Sequence, residues 1–208
     1  MKLKYTKLQL VLEIIGLLFL VGMIVFIYTQ WDQIPQQVPM HYNALGEIDR
    51  WGSKYQTLIL PAIGILLYTF ITVVSFFPQM WNVPVQITEE NKEAVYLSTR
   101  NLIIFMKVEI LAIFFYLNYH TVTVQPLSVI FLPIFLIIIF GTLIFFIVRT
   151  IRLGNEKKHN RELWAYSIPS KVAWVVDQLE IKVSLKFGFE NIGTSDKEKL
   201  FHKLFHKS

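Results

Sequence analysis

Four long apolar stretches alternate with shorter polar segments along this chain of 208 residues. Each stretch is close to the roughly 20 residues that an α-helix needs to cross the hydrocarbon core of a bilayer. The pattern therefore predicts an all-α integral membrane protein with four transmembrane helices, at about residues 8–28, 58–77, 102–121 and 127–148. A cleaved signal peptide is the alternative for the first stretch, but the stretch exceeds the roughly 7–15 apolar residues typical of a signal, which favours a retained anchor.

Composition and charge narrow the class further. Hydrophobic residues make up 54% of the chain and charged residues only 17%, which excludes an ordinary soluble domain. Cysteine is absent, so neither a disulfide nor a cysteine-based zinc site can form. The net charge of +5 comes from basic residues near the predicted membrane ends, so the expected partner is the lipid bilayer and not nucleic acid. No Walker motif or Rossmann glycine pattern is present, and we expect no cofactor.

Basic residues also predict the topology. Three lysines precede the first span, and five basic residues follow the fourth: Arg149, Arg152, Lys157, Lys158 and Arg161. Because Lys and Arg are enriched in cytoplasmic loops, both termini are predicted to be cytoplasmic. The loop of residues 29–57 holds only Arg50 and Lys54 as basic residues and belongs outside. We expect a multi-pass protein of the bacterial cell (plasma) membrane, with a membrane domain at 1–148 and a cytoplasmic tail at 149–208.

The tail carries two patterns of its own. Residues 179–189 alternate strictly between apolar and polar side chains, as in a half-buried strand, and residues 171–176 are the candidate partner in a β-hairpin. Pairing with a second copy of the chain, in a homo-oligomer, is the alternative, because an isolated hairpin is marginally stable. Residues 195–207 combine a capping-box spacing with apolar positions at helical intervals, and predict a short basic amphipathic helix on the membrane surface.

The loop between the first two spans is the most polar of the connecting segments and the best indication of function. Pro35 and Pro39 favour an extended or turned backbone, because proline fixes φ and lacks an amide hydrogen. A turn at residues 43–46 would then bring His41 alongside Asp49. The candidate binding residues of this loop are His41, Asn43, Gly46, Asp49, Arg50 and Trp51.

The same loop resembles a known family through a string of short motifs. They are Ile34-Pro35, Val38-Pro39, His41-Tyr42-Asn43, Gly46-Glu47, Asp49-Arg50-Trp51-Gly52 and Lys54. The string is similar to the motif of the membrane family called domain of unknown function 1648, and the resemblance covers roughly residues 1–148. That family includes the immunity protein against the sporulation-delaying toxin of bacilli, so the resemblance implies an immunity-like membrane protein. The immunity protein carries a further domain, for which residues 149–208 show no counterpart.

The loop has three interpretations. It is a lid whose polar side chains satisfy one another, a receptor surface for an extracellular peptide or envelope component, or a metal or catalytic site. Four side chains on this side of the membrane offer metal ligands: His41, Glu47, Asp49 and His120. Their spacing matches no HExxH or comparable motif, and no nucleophile is paired with a base. We therefore expect no metal, no catalytic residues and a non-enzymatic protein.

Three ionisable side chains fall inside the predicted spans: Glu13, Lys107 and Glu109. Such residues are costly in a bilayer, so they tend to face the helix bundle and to pair. Glu13 and Lys107 lie at similar depth, and we expect them to pair. Glu109 is about 200° around the helix from Lys107 and faces another way. The alternatives are that Lys107 snorkels to the interface, or that the three residues serve an oligomeric transporter or lipid-handling protein.

Overall fold

Four long α-helices account for most of residues 3–167, which are the part of the chain that the computed structural model describes. The helices are α1 (Lys7–Gln30), α2 (Ile59–Val74), α3 (Lys92–Thr123) and α4 (Phe131–Ser167). Four helical segments are long and apolar enough to cross a membrane, and the second of them, Lys54–Val74, includes a short 3-10 turn before α2. The prediction of a mostly helical protein with four candidate spans is confirmed.

The helix ends differ from the predicted span ends, because hydropathy marks the membrane core and not the helix termini. α3 begins at Lys92, well before residue 102. Its start is fixed by reciprocal hydrogen bonds, in which Thr88 N donates to Asn91 Oδ1 over 2.8 Å and Asn91 N donates to Thr88 Oγ1 over 3.4 Å. α2 ends at Val74, short of the predicted end, and α4 continues to Ser167, far beyond it.

The chain forms two compact units, which are Met1–Val83 with Tyr96–Arg149 and Pro84–Val95 with Thr150–Ser208. In the second unit Val85 lies directly against Gly154, where an added Cβ would come within 2.7 Å of the valine side chain. The sites described below all lie in the first unit. The hairpin and amphipathic helix predicted for the tail, at residues 171–176, 179–189 and 195–207, lie outside the described residues.

The polar loop between α1 and α2 folds as an antiparallel hairpin whose strands are β1 (Gln37–Tyr42) and β2 (Ile48–Ser53). Short 3-10 turns join it to the two helices, at Trp31–Gln33 and Lys54–Leu58. The predicted reversal at Gly46 is confirmed, with Tyr42 opposite Ile48. The register is irregular on both sides of His41, as in a β-bulge. The all-α description therefore holds for the spans, and the loop adds a two-stranded sheet.

A buried apolar cluster holds the middle of the helices together. It joins Leu20 and Met23 of α1 to Leu111 of α3. Gly64 of α2 lies against this cluster, and a Cβ at that position would sit 3.1 Å from Leu20 Cδ1. The missing side chain therefore allows α2 to approach α1 closely.

Polar contacts hold the segment before α1 against α3. Arg100 is only 1% exposed, and its guanidinium donates to the backbone carbonyls of Leu3 and Lys4. Gln9, which is completely buried, donates from Nε2 to Asn101 Oδ1 over 2.6 Å. Because buried polar groups are costly unless they are hydrogen-bonded, these contacts specify which part of α3 lies beside the start of α1.

Candidate functional site

The two strands of the hairpin have different surroundings. β1 is held against the helices, because Val38 is completely buried and clusters with Ile27 of α1 and Val122 of α3. β2 is mostly exposed, including Trp51, which keeps 49% of its surface accessible. The surface that the hairpin offers to a ligand is therefore formed mainly by β2 and the turn.

The turn is built around the side chain of Asn43. Its Oδ1 accepts hydrogen bonds from Leu45 N over 2.9 Å and from Glu47 N over 3.0 Å, and its Nδ2 donates to Glu47 Oε2 over 2.8 Å. Asparagine commonly stabilises turns by bonding to backbone groups a few residues later. Gly46 follows with a φ of +81°, a left-handed conformation that glycine adopts without a steric penalty. Asn43 and Gly46 are thus the frame of the turn.

Gly46 also connects the turn to the segment between α3 and α4. Its carbonyl accepts a hydrogen bond from Leu127 N over 2.8 Å. A Cβ at Gly46 would lie 2.3 Å from the Leu127 carbonyl oxygen, a distance that backbone atoms cannot accommodate without moving. The tip of the hairpin is therefore held by both the conformation and the small size of this glycine.

His41 and Asp49 form the predicted contact across the strands. His41 Nδ1 lies 2.6 Å from Asp49 Oδ1, and the two side chains are 56% and 43% exposed. An exposed pair of this kind contributes little to stability, about 0–1 kcal/mol, so its groups remain available to a ligand. Arg50 is exposed and, by strand alternation, points to the other face of β2 from Asp49. The predicted hydrogen bonding among the polar side chains of the loop is thus present between His41 and Asp49, whereas Asn43 bonds to Glu47 instead.

The base of the hairpin is fixed by contacts that the sequence did not predict. Lys54 Nζ lies 4.6 Å from the ring centre of Trp31, and Trp31 contacts Tyr55 at 5.8 Å between ring centres. Asn118 of α3 is almost completely buried and donates from Nδ2 to the carbonyl of Thr57 over 2.9 Å. A lone asparagine near the end of a span gives no indication of its partner, and only the folded chain identifies Thr57.

Tyr42 is the titratable group of the hairpin with a perturbed environment. Burial raises the pKa of its hydroxyl above the ordinary 10.0, because the phenolate is poorly solvated there. The neighbouring Tyr116 also raises this pKa, whereas Thr121 lowers it in part. Tyr42 is therefore neutral at physiological pH and contributes a polar but uncharged group at the end of β1.

The possible metal ligands do not converge. Among residues 3–167, no group of three or more His, Asp or Glu side chains is arranged to hold a metal ion. His41 contacts Asp49, whereas the ring of His120 lies 4.4 Å from that of Tyr116. The exposed groups of the hairpin, among them His41, Asp49 and Trp51, are instead suited to hydrogen bonding and aromatic contact with a ligand.

Glu13 of α1 and Lys107 of α3 form an ion pair between two of the predicted spans. Lys107 Nζ donates to Glu13 Oε2 over 2.6 Å and to Thr72 Oγ1 over 2.7 Å, and it lies 4.5 Å from the ring centre of Tyr68. The predicted pairing of Lys107 with Glu13 is present, and the Lys107 side chain is completely buried. One ammonium group thus connects α1, α2 and α3.

Glu109 faces α4, as its position on the helix requires. Thr142 Oγ1 donates to Glu109 Oε1 over 2.5 Å. Glu109 Oε2 is buried and has no hydrogen-bond partner within the described residues. The third intramembrane charge is therefore separate from the pair of Glu13 and Lys107.

Comparison with known proteins agrees with the resemblance of the loop. Residues 18–65, which contain the hairpin, match the family model described as Domain of unknown function (DUF1648). An archaeal protein of Archaeoglobus fulgidus, described only as an uncharacterized protein, is 40% identical over 62 residues, which cover 26% of this chain and 34% of the relative. The chain thus matches about a third of the length of that curated relative. No solved structure matches the chain.

Proposed function

We propose that this protein, whose residues 18–65 match the DUF1648 family model, is a non-enzymatic receptor of the immunity or sensing kind in a bacterial plasma membrane. Its hairpin faces outward, both termini are cytoplasmic, and its ligand is an extracellular peptide or envelope component. The observation that carries the proposal is the division of the hairpin: β1 is buried against the helices while β2 and the turn are exposed. Because β1 is fixed against the helices, the hairpin presents β2 for binding.

The exposed strand supports a peptide as the ligand. Among the described residues the sheet has only two strands, so the outer edge of β2 has no partner. An extended peptide can add to such an edge through main-chain hydrogen bonds, with side chains providing specificity. Trp51 and the pair of His41 and Asp49 supply an aromatic surface and a carboxylate beside this edge. Aromatic residues of this kind commonly dominate binding energy at interfaces.

The binding proposal is tested with the full-length protein in lipid nanodiscs, screened against a synthetic library of unstructured peptides and against purified peptidoglycan fragments. For any ligand selected, Trp51→Ala and Asp49→Asn should each weaken binding at least about tenfold, since an interface hot spot is worth about 2 kcal/mol or more. Asp32→Asn is the matched control, because Asp32 is an exposed acid just before the hairpin. Binding that is insensitive to both hairpin variants, or a screen that selects nothing, would contradict the proposal.

The orientation is tested separately, and the absence of native cysteine makes the test clean. Leu45 in the turn is 58% exposed, and Ile87 between α2 and α3 is 37% exposed. A membrane-impermeant maleimide added to intact cells should label Leu45→Cys directly and label Ile87→Cys only after permeabilisation. The reverse pattern would show that the hairpin is cytoplasmic.

A further inference from the structure

The two acidic side chains of the spans have opposite electrostatic surroundings. Glu13 lies 2.6 Å from the ammonium group of Lys107 and keeps 14% of its side chain exposed. Glu109 forms no ion pair with any described residue, and its single hydrogen bond comes from the neutral hydroxyl of Thr142. Within residues 3–155, whose side chains the structure describes, only Glu13 therefore has a counterion.

Glu109 lies deep in the region that would be occupied by lipid. From Glu109 to the end of α3 at Thr123 is roughly 21 Å, and from the start of α4 at Phe131 to Thr142 is roughly 16 Å, at about 1.5 Å per residue. The hydrocarbon core of a bilayer is about 30 Å thick. The contact between Glu109 and Thr142 is thus inside the hydrocarbon core, roughly 9–14 Å from its opposite edge, where a charge is costly.

The surroundings of this contact on α3 and α4 are apolar. One turn before Glu109 lies Phe105, and one turn after Thr142 lies Phe146, with 5.4 Å between the two ring centres. Residues 131–148 contain no Asp, Glu, Lys, Arg, His or Tyr, so this part of α4 brings no titratable group to Glu109.

The nearest cation along the chain, Lys107, is engaged with groups on α1 and α2. Lys107 is on a different face of α3, where it binds Glu13 of α1 and lies over Tyr68 of α2. The next titratable side chain along α3 is Tyr116, about two turns from Glu109. No described contact therefore provides positive charge to balance an ionised Glu109.

We propose that Glu109 is a proton-binding site within the membrane. The Glu109 carboxylate takes up one proton on an oxygen and becomes a neutral acid, while the Thr142 hydroxyl fixes Oε1; nothing else is consumed or released. Protonation removes a charge that this apolar interface cannot solvate. Release of the proton requires water to reach the buried Oε2.

Infrared spectroscopy of the full-length protein in lipid nanodiscs tests the proposal. At neutral pH we expect the carbonyl band of a protonated carboxylic acid, absent in Glu109→Gln and retained in Glu13→Gln. Glutamine has the size of the neutral acid and retains an acceptor for Thr142, so the variant should fold. A wild-type protein without the band, or a band that persists in Glu109→Gln, would overturn the proposal.

Chemical labelling of the wild-type protein provides a measurement that does not depend on any variant. Dicyclohexylcarbodiimide partitions into membranes and adds a protonated carboxyl group across its C=N bond. Peptide mass spectrometry should find the label on Glu109 at least about tenfold more often than on Glu13, and the difference should fall as pH rises. Thr142→Val keeps the site apolar and should keep the label, whereas equal labelling of the two acids would refute the assignment.

Discussion

Replacing Glu13 with leucine should destabilise the membrane domain more than replacing Lys107 with methionine, although both changes break the same ion pair. The Lys107 side chain is 0% exposed and that of Glu13 is 14% exposed. Glu13→Leu leaves a completely buried ammonium group whose remaining hydrogen-bond partner among the described side chains is the Thr72 hydroxyl. Lys107→Met leaves a carboxylate that can still reach polar surroundings or become protonated.

The expected magnitudes follow from these burials. Removing one partner of a buried ion pair costs about 3–5 kcal/mol, and Glu13→Leu should be near the upper value. Lys107→Met should be near the lower value because its orphaned partner is partly exposed. The double variant replaces both charges with apolar side chains of similar size, which is often neutral or stabilising, so it should be more stable than either single variant. Thr72→Val removes one hydrogen bond only and should cost about 0.5–1.5 kcal/mol.

A double-mutant cycle measures these differences, with reversible unfolding of the full-length protein in mixed micelles as the assay. The cycle isolates the interaction between the two sites because each single change removes the same contact. Strictly additive effects, or single variants that each cost under about 1 kcal/mol, would be typical of two wetted side chains at the interface. That result would refute the conclusion that the pair holds α1 against α3.

Three further predictions concern the hairpin. Gly46→Ala should lower the amide-exchange protection of both strands about tenfold or more. A left-handed residue with a Cβ costs roughly 1–2 kcal/mol, and the clash with Leu127 adds to that cost. Gly141→Ala is the control and should leave the protection unchanged, because its added Cβ meets no atom within 4 Å. Asn118→Leu should reduce stability by about 1–3 kcal/mol in thermal unfolding, because it leaves the Thr57 carbonyl buried without a donor. Burial raises the pKa of Tyr42 above 10.0, so the folded state holds the phenolic proton more tightly than the unfolded state does. The resulting contribution to folding stability is fully present below about pH 10 and is lost as pH rises further. Tyr42→Phe should remove this alkaline loss in melting curves.

The hairpin was largely predictable because its information is local. Pro35 and Pro39 exclude a helix, and Asn43 and Gly46 supply turn chemistry within four positions, so His41 had to return towards Asp49. The irregular register around His41 was not predictable, because a bulge shifts the pairing by one residue without a strong sequence signal.

The long-range contacts were less predictable, for a different reason. The pairing of Lys107 with Glu13 could be predicted because two opposite charges at equal depth in lipid have few other partners. The contacts of Asn118 with Thr57 and of Glu109 with Thr142 could not, because their partners are common neutral groups. Helix rotation decides which of these neutral groups faces them, and rotation is set by packing.

α3 is the helix through which the separate contacts meet. Along its length Arg100 holds the segment before α1, Lys107 binds Glu13, Glu109 faces α4, and Asn118 holds the base of the hairpin. A ligand at β2 can change the state of the spans only if it has different affinities for two arrangements of the hairpin. If Thr57 moves, the hydrogen bond from Asn118 either breaks or pulls Asn118 along with it. Asn118 is connected to Lys107 through about three turns of α3. A binding event at the hairpin and a protonation event at Glu109 therefore act on the same structural element, and each must alter the free energy of the other if α3 moves in both.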